Sequence, residues 1–186
     1  MAGFDHFKFI APYYDKIISK GNFDRLIELS DLQIDEYVLD LGGGTGRVAL
    51  ALNKISKKIE VVDITLEMLR MARRKHLNAI CANGKSLPFP GEFFSRVLVI
   101  DALHHLEAQK QVIREIWRVL RPGGFLIIVE PFYDQFSGKM IRIMENVLRM
   151  GSKFLSDCSI IALFDQLSSD IQVIHEKGNS FFKIIK

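Results

Sequence analysis

Short segments that follow apolar runs carry the side chains of this sequence that could do chemistry. The densest is VLDLGGGTG over Val38 to Gly46, where Asp40 precedes a glycine-rich stretch. Glycine permits a tight turn and lets the backbone approach a ligand closely, and the helix that should follow offers free N–H groups. The segment therefore predicts a ligand-binding turn between a strand and a helix.

Asp63 ends a second apolar run, Ile59 to Asp63. A carboxylate at such a place can accept both hydroxyls of an adenosine ribose, although the spacing alone suits a helix-capping aspartate equally well. Residues Gly44 to Ala49 also match the loose dinucleotide pattern G-x-G-x-x-A, which keeps a nicotinamide cofactor open as an alternative. Together these residues indicate an adenosine-containing ligand without identifying it.

His104 and His105 follow the apolar run Val97 to Ile100 and are the candidate catalytic residues. Histidine titrates near neutral pH and is a common general base. The competing interpretation is that one ring packs structurally while the other faces solvent, and we prefer it to base catalysis. We still expect at least one of the two rings to contact the site.

The elements that must position these residues alternate between strands and helices. Strands are predicted at 37–41, 59–63, 78–82, 97–100 and 125–129, with helical spacing of apolar residues between them and Pro122-Gly123-Gly124 ending the last helix. Alternation of this kind gives a parallel sheet covered on both faces, which binds ligands at the carboxyl ends of its strands. Those ends are Asp40, Asp63, the segments after Ala82 and Ile100, and Glu130.

The end of the chain has a different pattern. Asp157 to Leu167 predicts a helix, and two strands, Ile171 to Glu176 and Ser180 to Ile185, flank Lys177-Gly178-Asn179. A Gly-Asn pair between two strands favours an antiparallel hairpin. Near the start of the chain, a short helix is expected around Phe23 to Leu29.

The composition limits the class of protein. The chain has 186 residues, 48% of them apolar, which suits one domain with a sizeable core. A net charge of +3 is too balanced to indicate nucleic acid. Cys81 and Cys158 make no disulfide framework and suit a reducing cytosol, and no apolar run approaches the roughly 20 residues of a membrane span. We therefore expect a cytoplasmic protein without a metal site, a nucleic-acid partner or a membrane span.

Several segments, in order, resemble the class I S-adenosylmethionine (SAM)-dependent methyltransferases of the methyltransferase type 11 family, especially the ubiquinone and menaquinone biosynthesis C-methyltransferases. They are VLDLGGGTG, VVD at 61–63, LPFP with Phe93-Phe94, VIDALHHL at 99–106 and EIWRVLRPGG at 115–124. The resemblance implies a doubly wound, Rossmann-like, mostly parallel seven-stranded α/β sheet with helices on both faces and an antiparallel C-terminal hairpin. Ser95 and Arg96 depart from the family's usual pattern at the start of the fourth strand.

The resemblance also implies a cofactor-binding set: Asp40, Gly42, Gly43, Gly44, Gly46, Asp63, Ile64, Met68, Asn83, Gly84 and Asp101. Asp40 and the glycine turn would hold the methionine part of SAM, and Asp63 would hold the ribose. Ile64 and Met68 would pack near the adenine. Asn83 stands where the family often has an aspartate that accepts from the adenine amino group, and asparagine accepts through its carbonyl without charge assistance.

The expected function is transfer of the SAM methyl group to a small molecule by in-line displacement, which needs mainly alignment and exclusion of water, with release of S-adenosylhomocysteine (SAH). A SAM- or SAH-binding protein without transferase activity, acting as a sensor or partner subunit, is the alternative. One domain over 1–186 is expected, with residues 1–30 as a helical lid or an edge-packing helix and 131–168 as a substrate-pocket insertion. The candidate residues for binding a largely apolar acceptor are Tyr14, Phe132, Tyr133 and Phe136.

Overall fold

The computed structural model of the chain describes residues 23–131, 155–167 and 170–186. The strands are β1 (Val38–Leu41), β2 (Ile59–Asp63), β3 (Asn78–Cys81), β4 (Phe94–Ile100), β5 (Leu120–Pro131), β6 (Asp170–Glu176) and β7 (Asn179–Ile185). The helices described are α1 (Asp24–Ser30), α2 (Arg47–Leu52), α3 (Leu66–Arg74), α4 (Gln109–Val119) and α5 (Asp157–Ile161). Short 3₁₀ turns cover Leu103–His105 and Ala162–Phe164.

The strands form one seven-stranded sheet in the order β3-β2-β1-β4-β5-β7-β6. Strands β1 to β5 are parallel to one another, and β7 pairs antiparallel with both β5 and β6. The predicted fold class is therefore confirmed. Because β1 to β5 run in the same direction, the polar residues that end them meet at one edge of the sheet.

Apolar side chains cover both faces of the sheet. On one face α4 packs with the turn 162–164, through residues such as Ile113 and Phe164. On the other face α2 and α3 pack through Leu52 and Leu69. A sheet covered on both sides explains why β1 and β4 are buried at nearly every position rather than at every second one. These two strands carry the glycine turn and Asp101 at their carboxyl ends.

A two-residue turn joins β6 to β7. Lys177 and Gly178 have φ angles of 49° and 79°, which is the pattern of a type I′ hairpin turn. Asn179 pairs with Glu176 and opens β7, so the residue that the sequence assigned to the turn belongs to the strand. The antiparallel hairpin itself is confirmed.

Several boundaries differ from the sequence predictions; β4, for example, begins at Phe94 rather than at Val97. Strand β5 begins at Leu120, before the Pro-Gly-Gly, because Leu120 already pairs with Phe94; the ladder resumes at Arg96 and Phe125 after a register shift. The helix predicted over 157–167 is a 5-residue α-helix continued by a 3₁₀ turn. Helix α1 matches the helix expected near residue 23. Most of the predicted lid at 1–30 and of the predicted insertion at 131–168 lies outside the described residues.

Arg96, the residue that departs from the family pattern, is buried at the opposite end of the sheet from the glycine turn. Its guanidinium donates to the carbonyls of Ser30 at 2.8 Å and Asp31 at 3.1 Å. It lies 3.4 Å from the Glu36 carboxylate and 3.9 Å above the centroid of the Phe125 ring. Arg96 therefore fastens the chain that follows α1 to the sheet.

Candidate active site

A cavity of about 300 Å³ opens where the carboxyl ends of β1 to β4 meet. Its described lining comes from these strand ends and from the starts of α3 and α4: Leu41, Gly42, Gly44, Asp63, Ile64, Thr65, Met68, Ala82, Asn83, Gly84, Lys85, Asp101, Ala102, His105, Leu106, Glu107 and Val112. This is the edge at which a parallel sheet places its ligands.

The glycine turn after β1 combines close packing with one open face. Gly42 and Gly44 adopt φ angles of 73° and 54°, in the left-handed region that other residues enter at a cost. A Cβ on Gly42 would lie 2.6 Å from the Cβ of Ala102, whereas a Cβ on Gly44 would find its nearest atom, Asp63 Oδ2, at 3.8 Å. Packing therefore requires Gly42, and Gly44 leaves the turn accessible from the cavity.

Asp40 lies beneath the turn. It is 1% exposed, and a Cβ on Gly43 would lie 2.6 Å from its carboxyl group. Its Oδ2 has no hydrogen-bond partner among the residues that the structure describes. Burial raises the pKa of Asp40 to about 7, although a hydrogen bond from the Ala49 backbone opposes the shift. A buried carboxylate with an unpaired oxygen indicates a site that attracts a proton or a cation.

Asp63 is held at the cavity by the backbone. The N–H groups of Gly44 and Thr65 donate to its two carboxylate oxygens at 3.0 Å and 2.7 Å. The Thr65 hydroxyl also bonds Asp63. Thr65 directly precedes α3, and its side chain makes no cap on that helix. Burial raises the pKa of Asp63 despite these donors. Its orientation is fixed, and its remaining lone pairs can accept from a ligand.

Ile64 and Met68 give the β2–β3 end of the cavity an apolar wall. Ile64 is 69% exposed, whereas Met68 is 2% exposed. Asn83, which follows β3, also lines the cavity. Its Oδ1 accepts the backbone N–H of Lys85 at 3.0 Å, and this hydrogen bond fixes the turn that contains Gly84. An apolar wall beside an amide edge suits a flat heterocycle.

Two acidic residues mark the β4–β5 side. Asp101 follows β4 with a φ of 53°, which is uncommon for a residue other than glycine. Asp101 is exposed to the cavity by its surface area; the neighbouring protein still removes part of its solvent, and this desolvation, followed by the charge of Glu130, raises the pKa of Asp101. Glu130 is 4% exposed, accepts the Leu103 N–H at 2.8 Å and pairs with His104 Nδ1 at 2.5 Å. Asp101 therefore brings a carboxylate to the lining on this side of the cavity, and Glu130 lies behind the lining.

The two histidines occupy different places. His104 is 7% exposed and its ring is held by Glu130. His105 lines the cavity, and its ring centroid lies 4.0 Å from that of His104. Burial, and then the charge of His104, lower the pKa of His105 to about 4. His105 is therefore neutral at pH 7, where a base of such low pKa is weak.

Most of the residues predicted for the site meet at this cavity. Those in its described lining are Gly42, Gly44, Asp63, Ile64, Met68, Asn83, Gly84, Asp101 and His105. Asp40 and Gly43 lie beneath the turn, and Gly46 packs against Leu77. His104 stands behind His105, against Glu130. Tyr14, Phe132, Tyr133 and Phe136 lie outside the described residues.

Other lining residues were not assigned to the site from the sequence. Lys85 and Glu107 form an ion pair at 3.8 Å, and their position just after site segments was the only signal. Val112 of α4 belongs both to the core and to the cavity lining. Glu130, which the sequence places at this edge of the sheet, lies behind the lining and holds His104.

Within residues 23–131, 155–167 and 170–186, no group of three or more His, Cys, Asp or Glu residues is arranged to hold a metal ion. In the same ranges, none of the helices combines the length and the apolar character that crossing a membrane requires.

Residues 39–128 match the family model of a methyltransferase domain. The ubiquinone/menaquinone biosynthesis C-methyltransferase UbiE of Pectobacterium carotovorum subsp. carotovorum (strain PC1) is 30% identical over 146 residues, which cover 70% of this chain and 58% of that protein. UbiE of Pectobacterium atrosepticum is 31% identical over 115 residues, covering 56% of this chain and 46% of that protein. The chain thus spans about half the length of these curated relatives.

Solved structures resemble nearly the whole chain. A protein of Haloferax volcanii, solved in complex with the Trm112 methyltransferase activator, aligns with a TM-score of 0.83 and 16% identity, covering 98% of each chain. A SAM-dependent methyltransferase of Thermotoga maritima aligns with a TM-score of 0.76 and 20% identity, covering 96% of this chain and 97% of that one. At these identities the likeness shows a common fold.

Proposed function

We propose that this protein is a class I SAM-dependent methyltransferase that transfers the methyl group of SAM to a small-molecule acceptor; the match of residues 39–128 to the methyltransferase-domain family model and the likeness to UbiE support this. The observation that carries the proposal is the cavity itself: it joins a fixed carboxylate, Asp63, to an accessible glycine turn and to the carboxylate of Asp101. That combination matches the parts of SAM, which are an adenosine, a sulfonium cation and an amino-acid tail.

The residues of the cavity fit this cofactor on structural grounds. Asp63 offers a fixed carboxylate to the ribose hydroxyls, and Ile64 and Met68 offer an apolar wall to the adenine. Asn83 and Gly84 supply the amide edge beside that wall. The unpaired oxygen of Asp40 beneath the turn favours a ligand that brings positive charge.

When bound, SAM supplies a methyl group that its sulfonium charge activates. The chain's own residues then hold the reactants in line and exclude water, which can account for much of the rate. In our proposal His105 contacts the acceptor as a neutral hydrogen-bonding ring, since its lowered pKa makes it a poor base at neutral pH. His104 keeps the ring of His105 in place through their contact.

The acceptor is proposed to be small and largely apolar. Ala102, Leu106 and Val112 give the described wall near His105 an apolar character. Curated relatives are named ubiquinone/menaquinone biosynthesis C-methyltransferases, so quinone precursors and phenols are the first acceptors to test. The acceptor-binding residues proposed from the sequence lie outside the residues that the structure describes; they are Tyr14, Phe132, Tyr133 and Phe136.

Calorimetric titration with SAM, SAH and NAD tests the cofactor, and labelled SAM with a panel of quinones, phenols and amines tests the reaction. Binding of SAM and SAH but not NAD, with label in an acceptor, is the expected result. Asp63→Ala should weaken SAM binding by about 1–3 kcal/mol, because the ribose hydroxyls lose a buried acceptor. Binding of NAD in preference to SAM would refute the proposal.

The alternative is a sensor or partner subunit that binds SAM or SAH without transferring a methyl group. The neutral, weakly basic His105 is the observation that favours it. Tight binding of SAM with no label transferred to any acceptor of the panel would support this alternative.

A further inference from the structure

Asp101 is the residue of the expected cofactor-binding set whose contact with the ligand has not yet been given. Its φ of 53° lies in the left-handed region, which aspartate and asparagine enter more readily than most other residues. The Asp101 N–H donates to the Val129 carbonyl at 2.9 Å, which ties this residue to β5. Asp101 is thus held in place by β5 and lines the cavity, which is a reason to ask which group of a ligand its carboxylate meets.

The surroundings of Asp101 leave its negative charge only partly compensated. Burial and the neighbouring Glu130 both raise the pKa of Asp101, while Arg47 and His104 oppose them more weakly. The two carboxylate oxygens of Glu130 already form hydrogen bonds with the Leu103 N–H and with His104 Nδ1. Across the cavity, Lys85 is paired with Glu107. A cation entering the cavity near Asp101 would therefore be stabilised.

The order of the strands says which part of a ligand would reach Asp101. Asp63 ends β2 and Asp101 follows β4, with β1 between them, so the two ends are about 10 Å apart at the usual strand spacing. The apolar wall of Ile64 and Met68 lies on the β2–β3 side. With the adenine against that wall and the ribose at Asp63, the rest of the molecule must extend towards β4. The sulfur, bonded to the ribose C5′, lies on this path.

We propose that Asp101 is the residue by which this site distinguishes charged SAM from its neutral product: the carboxylate stabilises the sulfonium cation and loses that interaction when SAH is formed. The inference rests on the proposed function. In the transfer, an electron pair of the acceptor forms the new bond to the methyl carbon, and the pair of the broken C–S bond stays on sulfur. Any proton on the acceptor leaves to water. Product release is thereby coupled to the loss of one positive charge.

The test is calorimetric binding of SAM and of SAH to the wild-type chain, to Asp101→Asn and to Asp63→Asn. Asparagine tolerates positive φ, so Asp101→Asn removes the charge without straining the backbone. We expect it to weaken SAM binding by about tenfold, the usual size of a charge-assisted interaction, and SAH binding by less than about twofold. Asp63→Asn is the matched control and should weaken both ligands by the same factor, because both contain the ribose.

Equal weakening of SAM and SAH by Asp101→Asn would overturn the inference, since the carboxylate would then bind the shared amino-acid tail; unchanged binding of both would overturn it as well. Sinefungin, which carries an amine in place of the methylated sulfur, gives a readout on the wild-type chain alone. It should bind more tightly than SAH, and weaker binding contradicts the inference even if the variant does not fold. Absence of any binding of SAM and SAH to the wild-type chain would instead refute the proposed function.

Discussion

The carboxyl groups of Asp40, Asp63 and Asp101 have raised pKa values, and partial loss of solvent is the largest cause in each case. By surface area Asp40 is buried, Asp63 is half-buried and Asp101 is exposed to the cavity. Folding around such groups costs free energy that a well-packed apolar residue would not cost, and ligand sites commonly accept that cost. Ionisation of these carboxyl groups should therefore lower the free energy of unfolding, and the dependence of that free energy on pH should show the effect.

Asp40→Asn should stabilise the free protein at high pH and weaken its binding of SAM. The pKa of Asp40 is about 7 when folded and about 4 when unfolded, so between these pH values the folded state binds more protons and loses stability as pH rises. At pH 8 the variant should gain about 1–3 kcal/mol in unfolding free energy, measured by urea denaturation. Asp170→Asn, at an exposed position on β6, is the control. A variant less stable than wild type at pH 8 would contradict this account.

His105→Asn should reduce the loss of unfolding free energy that occurs as the pH falls from 7 to 4. The pKa of His105 is about 4 in the folded protein and about 6.5 in the unfolded chain, so the unfolded state takes up more protons as pH falls between these values. Wild-type stability should therefore drop by about 2–3 kcal/mol from this residue between pH 7 and pH 4, and the variant should lack that component. Denaturation curves across pH measure it, with exposed His76→Asn as control. Parallel stability profiles for His105→Asn and wild type would rule the shift out.

At the scale of elements, the glycine turn shows one backbone conformation serving two purposes. Gly42 and Gly44 share positive φ, but their surroundings differ: Ala102 fills the space beside Gly42, and the space beside Gly44 belongs to the cavity. The same substitution at the two positions should therefore affect different properties.

Gly42→Ala should cost stability, and Gly44→Ala should mainly cost SAM binding. Both variants incur about 1–2 kcal/mol for a left-handed residue with a Cβ. Gly42→Ala should lose about 1–3 kcal/mol more through overpacking against Ala102, whereas the methyl group of Gly44→Ala enters the cavity. Thermal unfolding and calorimetry on both variants measure the two effects. If Gly44→Ala bound SAM as wild type does, the ligand would not lie against this turn.

The sequence predicted the site residues well where they lie within a few residues of the strand that positions them. Asp40, the glycines and Asp63 follow apolar strands within a few residues, and a parallel sheet then requires their ends to converge. It was uninformative where contacts join distant segments. His104 is held behind His105 by Glu130, which is 26 residues further along the chain than His104. The contacts of Arg96 with Ser30 and Asp31 span more than 60 residues. The rim residues Lys85 and Glu107 had no periodicity that could mark them.

At the scale of the whole molecule, the two ends of the sheet have separate tasks. The carboxyl end carries the cavity, and the amino end carries Arg96, which ties the segment after α1 to β4 and β5. Substitutions at the amino end should therefore change stability without changing the affinity for SAM.

Arg96→Met should lower the unfolding free energy by about 2–4 kcal/mol, because it removes the buried cation and leaves the Ser30 and Asp31 carbonyls without their donor. SAM affinity should stay within about twofold of wild type. Arg121→Met is the control: Arg121 also pairs with Glu36, at 2.8 Å, but its side chain is 49% exposed, so the loss should stay below about 1 kcal/mol. Equal losses in the two variants would contradict the structural role of Arg96.

The central place of β1 and β4 has a consequence for motion. Each has a paired strand on both sides, so their amide hydrogens should exchange with deuterium only through the rarest openings of the molecule. The glycine turn and Asp101 are attached to the ends of these slowest-exchanging strands. Ligand entry should then leave the exchange rates of β1 and β4 almost unchanged, and the slowing should be confined to the loops that follow them.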